Sequence, residues 1–459
     1  MNLPNYFLAD LPPEATLSAA MITEACQTLK RNRDRYLAHA SSLSRIKLLS
    51  TVAASWLELE FPFRRLALDQ GPTATGFSRA TIASGLETFF KGLTRDNLEG
   101  LLEQDLGDAG RLDGLAASAL EEKTSRAAVA LAPELLVHIT AGSLPNPALM
   151  SIVLGVLLRS AQFVKCAAGT SLFPRLFAHS LYAAEPKLGA CLEVAQWPGG
   201  NIPLEKALFE EADCVTATGT DETLEAIRSR LPARIRFVGY GSRVSFAFVS
   251  GGVLSGHNAR KVAARAAADV AAWDQHGCLA PHVVYVENGG SVTPEHFAEM
   301  LAGELARREE TEPRGTLSGE AETAINSRRS FYDLRASHPP ESPDQPETRL
   351  WRSENSTAWT VVYETDPLFQ RSCLNRFIYV KNVPNLASAL QGADGVRGKV
   401  STVGLAATED KAEGLALELA RWGASRVCPL GQMQNPPLAW RRHGRPALAE
   451  LTRWTDWEM

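Results

Sequence analysis

Between residues 135 and 240 the sequence alternates short β-like runs with amphipathic helical stretches, and this alternation constrains the fold more than any other feature. LLVHITA (135–141), FVKCA (163–167), LEVAQWP (192–198), CVTATG (214–219) and RIRFVGY (234–240) read as strands. Helical stretches over 147–160, 174–184, 203–212 and 221–231 separate them. Strands joined by helices of this length predict a right-handed, doubly wound parallel sheet, which holds a dinucleotide at the strand C-terminal ends. The series restarts with RVSFAFVS (243–250), an Ala-rich helix (258–273) and HVVYVE (282–287). A helix over 293–308 follows, then WTVVYE, RFIYVK, VSTVGLAA and a helix over 410–422 complete a second α/β unit.

Residues 13–106 read as helical, and Ser78 is placed to cap a helix over 78–93. The polar stretch 309–347 is expected to be a surface excursion, partly flexible. The expected domains are 1–245, helical and dinucleotide-binding and completed by the C-terminal segment, then 246–425, catalytic, and a C-terminal segment, 426–459. Lys and Arg number 47 against 52 Asp and Glu, a net charge of −5 without basic runs, which argues against a nucleic-acid partner. The start of the chain lacks the positive region of a secretory signal. The apolar stretch 149–158 falls short of the roughly 20 residues that span a bilayer. A cytoplasmic protein with no membrane span is the expectation.

Seven scattered cysteines form no Cys-x-x-C pair or Cys/His cluster, so no metal site is expected. One of them, Cys278 in DQHGCLAPHVVYVE, occupies a turn between a long helix and a strand that should be central. Gly277 and Pro281 punctuate that turn and could present a thiol at its tip, where a backbone N–H and a side-chain amide would hold an oxyanion. On the residues alone, a buried structural cysteine is the favoured reading of Cys278, since sequence shows no shifted pKa. Nearby, Asp274 and Glu287 read as surface ends of a helix and a strand, and His276 and His282 as ordinary turn and strand residues. Cys373 and Cys428 read as packed strand-end cysteines, and Trp351, Trp440, Trp454 and Trp457 as core or interface.

The segment around Cys278 resembles the active-site cysteine segment of the Lux-type acyl-CoA reductases, the fatty-acyl reductase component of bacterial luminescence, within the aldehyde-dehydrogenase superfamily. RFVGYGSRVSFAFV (236–249) and PLAWRRHGRPALAELTRWTDWE (437–458) resemble the same family, and the likeness runs from about residue 135 to the end. It implies an aldehyde-dehydrogenase-like α/β fold, with a Rossmann-type cofactor domain and an α/β catalytic domain. It also implies Cys278 as nucleophile and Asn146, in AGSLPNPALM, as the oxyanion amide, against a plain turn role for that residue.

The resemblance places the general base of the hydrolytic relatives at Gly239, where no carboxylate stands. A thioester on Cys278 should then survive to meet hydride. NADPH is the implied cofactor, with Lys165, Gly169 and Thr170 at one turn, Gly219 and Thr220 at another, and Gly241 against the nicotinamide. A solvated Lys165 and plain turns are the competing readings of those residues. The expected reaction is NADPH-dependent reduction of a long-chain acyl thioester through an acyl-cysteine. The alternatives are a CoA-acylating aldehyde dehydrogenase for short acyl groups, or a silent nucleotide-binding subunit of an acyl-transfer assembly. Expected partners are a fatty acyl-CoA or acyl-protein donor, an acyl-protein synthetase and a second copy of the chain.

Overall fold

The computed structural model of the chain describes residues 3–12, 14–142, 144–338 and 346–458, and it divides into two compact units. The first comprises Met1–Thr75, Leu86–Ser242 and Pro437–Met459, and the second Gly76–Gly85 and Arg243–Pro436. These divisions fall at 242 and 436, against the 245 and 425 read from the sequence, and a ten-residue N-terminal piece joins the second unit.

In the first unit, β1 (Arg126–Leu131) precedes β2 (Leu135–Ile139), β3 (Ala161–Cys166), β4 (Leu192–Gln196), β5 (Cys214–Thr218) and β6 (Arg236–Tyr240). Strands β2 to β6 form one parallel sheet in the order β4-β3-β2-β5-β6. The order reverses direction between β2 and β5, so the connections leaving these strands diverge and open a crevice at their C-terminal ends. Near-continuous apolar runs make the strands because both faces are covered. On one face Val137, Phe163 and Val215 pack against Ile22 and Leu29 of the helix Ala19–Asn32 and Leu208 of the helix Ile202–Glu211. Ser78 accepts from the Thr81 amide at 3.1 Å, the expected cap of the helix Arg79–Lys91.

The second unit contains β7 (Val244–Val249), β8 (Pro281–Glu287), β9 (Thr348–Arg352), β10 (Thr360–Glu364), β11 (Phe377–Val383), β12 (Val400–Ala406) and β13 (Val427–Pro429). They form one sheet in the order β13-β12-β7-β8-β11-β10-β9, parallel except for β9. Strand β8 is therefore central. Its residues alternate between two cores: Val284 and Val286 pack on one side, Val283 and Tyr285 on the other. The polar stretch 309–347 contains a 19-residue helix, Gly319–Ser337, most of whose residues are exposed. Ile325, Arg329 and Tyr332 are its buried residues, spaced to share one face. Residues 339–345 of that stretch lie outside the described residues.

The C-terminal segment returns to the first unit. Arg445 donates to the Gly239 carbonyl at 2.7 Å, and Arg236 donates to the carbonyls of Glu450 and Thr452, so the segment runs along the outer edge of β6. The chain ends in β14 (Arg453–Glu458), antiparallel to β1, which covers β1 but leaves Trp454 and Trp457 exposed rather than packed in a core.

Candidate active site

In the first unit, a cleft opens at the strand ends where the sheet order reverses. Thr140, Gly142 and Pro145 after β2, Gly169 and Thr170 after β3, and Thr218 at the end of β5 line it. Gly142 and Gly169 have φ of +83° and +78°, and a Cβ on either would meet nothing within 4 Å, so the backbone turns away and leaves room. Asn146 opens the helix Asn146–Leu157 between Pro145 and Pro147, both on the cleft wall. Its Oδ1 is buried without a hydrogen-bond partner among the described residues. An amide left with such an atom calls for a ligand or a water.

Lys165 is not a solvated lysine. It is 4% exposed, and its Nζ stands 5.6 Å from the centroid of the Trp197 ring. Burial pushes the ammonium's pKa down, opposed by the charge of Glu205. Glu205, though, is ion-paired to Arg230. A buried cation facing an aromatic ring at the end of a parallel strand suits an anionic or hydroxyl-rich ligand. Thr170 turns its hydroxyl to the Ala167 carbonyl at 2.9 Å, and the neighbouring Ser171 bonds Gln196 at 2.9 Å.

Gly219 and Thr220 follow the lining residue Thr218. Thr220 caps the helix Asp221–Arg228 by accepting from the Thr223 amide at 3.2 Å, which commits its hydroxyl to the helix. Gly241 has a packing reason to lack a side chain: a Cβ there would stand 2.2 Å from Asp221 Oδ1, which accepts from the Ser242 amide. At Gly239 a Cβ would meet Leu224 and Phe237 at 3.1 Å, and the backbone carbonyl is taken by Arg445.

In the second unit, Cys278 lies half-buried in the turn leading into β8. Trp273, Asp274 and Gln275 hold φ of 49°, 48° and 67°, three successive left-handed residues without a glycine. Such a run is costly and persists only where its surroundings over-determine it. Here they do. Gln275 donates to the carbonyls of Pro281 and Phe377 and accepts from the Phe377 amide, tying the starts of β8 and β11 together. Asp274 accepts from Arg376 at 3.0 Å and from the Gly315 amide at 3.0 Å. Leu374, Asn375 and Arg376 form a second left-handed run, joined to the first by the Asn375 amide on the Asp274 carbonyl. Ser245 Oγ donates to the Cys278 carbonyl at 2.7 Å from the other side.

Asp274 is thus buried and ion-paired, not the surface end of a helix. Glu287 ends β8 as expected, yet its carboxylate accepts from Ser250 Oγ and the Gly251 amide and shapes the turn after β7. His276 bonds Asn375 and His282 bonds Ser372, and burial takes His282 down to about 4, so the two histidines serve the frame. Cys428 is buried within β13, and Cys373 is half-buried in the loop before β11. Sequence reasoning missed Asp274, Gln275, Ser245 and Arg376. The adjacent Asp-Gln before His-Gly-Cys was the available signal.

A family model described as Acyl-CoA reductase (LuxC) matches residues 38–454. The chain belongs to that family. Its relatives include long-chain acyl-protein thioester reductases of Photorhabdus laumondii subsp. laumondii, 24% identical over 152 residues, and of Vibrio harveyi, 21% identical over 262. These matches cover 32% and 55% of this chain, and 31% and 50% of the relatives, so the chain spans half or less of the curated relatives it matches. Among solved structures, the aldehyde dehydrogenase KauB from Pseudomonas aeruginosa superposes with a TM-score of 0.73 at 14% identity, over 98% of this chain and 91% of that one. The putative aldehyde dehydrogenase PutA from Anabaena variabilis gives 0.68 at 15% identity, over 97% and 93%. The LuxC-family chain therefore has an aldehyde-dehydrogenase-like fold, and it is in this setting that Cys278 heads a central strand. Among the described residues no helix is long and apolar enough to cross a membrane, and no group of three His, Cys, Asp or Glu could hold a metal.

Proposed function

We propose that this chain reduces a long-chain acyl thioester to the aldehyde, with Cys278 as acyl acceptor and NADPH as reductant. The observation that carries this is the Cys278 turn: two strained left-handed runs, Gln275 and Ser245 fix the backbone that carries the half-buried Cys278 at the head of the central strand. A purely structural cysteine needs no such frame. Family membership and the printed names of the relatives, long-chain acyl-protein thioester reductases, supply the substrate class.

Cys278 Sγ attacks the acyl carbonyl; the new C–S bond forms as the donor's C–S bond breaks, and the donor leaves as its thiol. The backbone N–H of Cys278 would hold the developing oxyanion, and the family resemblance assigns the side-chain amide of Asn146 to the same role. The donor is an acyl-CoA or an acyl-protein, the latter charged by a companion synthetase. With glycine at 239, the chain offers no carboxylate there to activate water against the acyl-enzyme. Lys165, Gly169, Thr170, Gly219, Thr220 and Gly241 would hold the dinucleotide, whose fit rests on the buried Lys165 ammonium and the open cleft beside Gly142 and Gly169. When bound, the reduced nicotinamide supplies the hydride that turns the acyl group into the aldehyde.

The test is intact-mass spectrometry after incubation with tetradecanoyl-CoA in the absence of NADPH. An adduct of one acyl group is expected on the wild-type chain and none on Cys278→Ala, with NADPH consumption falling by at least a thousandfold in the variant, about the scale of losing a nucleophile. An acyl adduct that persists in Cys278→Ala would overturn the assignment.

A further inference from the structure

The loop Arg441–Arg445 in the C-terminal segment has no part in the reaction described above. It lies against Tyr240, the buried last residue of β6. The Arg442 guanidinium stands 4.2 Å from the centroid of the Tyr240 ring, and that of Arg445 stands 4.8 Å from the same centroid. Arg445 is engaged within the protein: it donates to the Gly239 carbonyl and faces Glu450 at 3.5 Å. Arg442 is different. It is half-buried and its carbonyl accepts from the Arg445 amide, yet its guanidinium makes no hydrogen bond or ion pair with any described residue.

Two guanidinium groups on one ring repel each other, and a single carboxylate offsets them. Arg441 is exposed beside them, so the loop carries an excess of positive charge. His443 and Gly444 adopt φ of 54° and 78°, a strained reversal that delivers Arg442 and Arg445 to the same ring. Tyr240 also ends its strand on the C-terminal side of a parallel sheet, the side on which such sheets bind ligands. A planar guanidinium fixed by stacking, with its N–H fork uncommitted, is pre-organised for bidentate contact with a phosphate ester.

We propose that Arg442, backed by Arg445 on the Tyr240 ring, binds a phosphate ester carried by one of the ligands of the reaction. The identity of those ligands rests on the function proposed above; the anion site does not. The same chemistry could come from the 3′-phosphate of a CoA thioester or from the 2′-phosphate of the dinucleotide.

Two fragments separate these sources: adenosine 3′,5′-bisphosphate for CoA and 2′-phospho-ADP-ribose for the dinucleotide. Each is titrated calorimetrically into the full chain, as wild type, Arg442→Met and Arg442→Lys. Arg442→Met keeps an apolar side chain against Tyr240, loses the cation–π contact and removes no side-chain hydrogen bond, so its thermal midpoint should fall only slightly below wild type. One fragment should bind roughly tenfold more weakly to Arg442→Met, the scale of a charge-assisted hydrogen bond, with part of the loss restored in Arg442→Lys. Weakening of the bisphosphate alone assigns the site to the acyl donor, and weakening of the phospho-ADP-ribose alone assigns it to the dinucleotide. Equal affinities of wild type and Arg442→Met for both fragments would overturn the proposal, as would the absence of binding to wild type. Neither titration needs turnover, so a chain that failed to reduce thioesters would still give a decisive answer.

Discussion

Asp274 stands four residues before Cys278, and its carboxylate meets Arg376 from a position 102 residues away in sequence. Arg376 in turn reaches Glu309, and both Asp274 and Arg376 are almost fully buried. Removing Asp274 leaves the buried Arg376 with Glu309 alone, a loss towards the lower end of the range of about 3–5 kcal/mol that breaking a buried pair costs. Asp274→Ala should therefore lower the stability of the second unit by that amount, read from a urea midpoint. Any acylation of Cys278 that survives should slow, because the left-handed run before it loses its anchor. A change below about 1 kcal/mol would show that the pair is dispensable. That Cys278 lies in a turn was legible from sequence because Gly277 and Pro281 mark it locally. Asp274 was not, because a carboxylate at a helix end normally faces solvent, and only the distant Arg376 reverses that preference.

The helix Asn146–Leu157 and strand β3 show what a single hydrogen atom can do between elements. Gly155 faces Gln162, and a Cβ on Gly155 would stand 2.2 Å from the Gln162 side-chain carbon. Gln162 also accepts from His138 at 3.2 Å, and His138 bonds Thr216 at 2.7 Å, so this contact reaches across β3, β2 and β5. In an open helix Gly→Ala would gain about 1 kcal/mol. Here Gly155→Ala must displace Gln162 and should cost about 1–3 kcal/mol instead, measured by thermal unfolding. A stabilised variant would mean that Gln162 moves freely. Elements of this kind, apolar runs separated by helices, were legible because burial on both faces leaves a plain pattern. The strands β1, β9, β13 and β14 were not, being short or at sheet edges, and β14 is exposed along its whole length. The helix Gly319–Ser337 was hidden by its polarity, since three buried residues in nineteen give little period to read.

Across the whole molecule, each unit carries a histidine and an acid, both desolvated, whose ionisations oppose each other. His138 in the first unit and His282 in the second are both pushed down to about 4, chiefly by burial. Unfolding lets each take up a proton below pH about 6.5, so each removes stability as the pH falls from there to about 4. Glu193 in the first unit is pushed up to about 8 and Asp269 in the second to about 7, again by burial, which outweighs the backbone amides each accepts. Folding keeps these acids protonated where the unfolded chain has lost its protons. Their stabilisation is complete below their unfolded values and is lost as the pH rises through about 7 to 8. Between pH about 4.5 and 6.5 the two effects run in opposite directions, two groups against two, at about 1.4 kcal/mol per pH unit for each group. Stability should thus be level across that window and decline towards pH 8. His138→Gln, which keeps a polar side chain beside Thr216 and Gln162, removes one of the opposing groups. Urea midpoints for the variant should then rise as the pH falls from 6.5 to 4.5, with a slope of about 1.4 kcal/mol per pH unit, whatever the variant's absolute stability. A variant whose curve stays parallel to wild type would show that His138 is not held neutral in the folded protein.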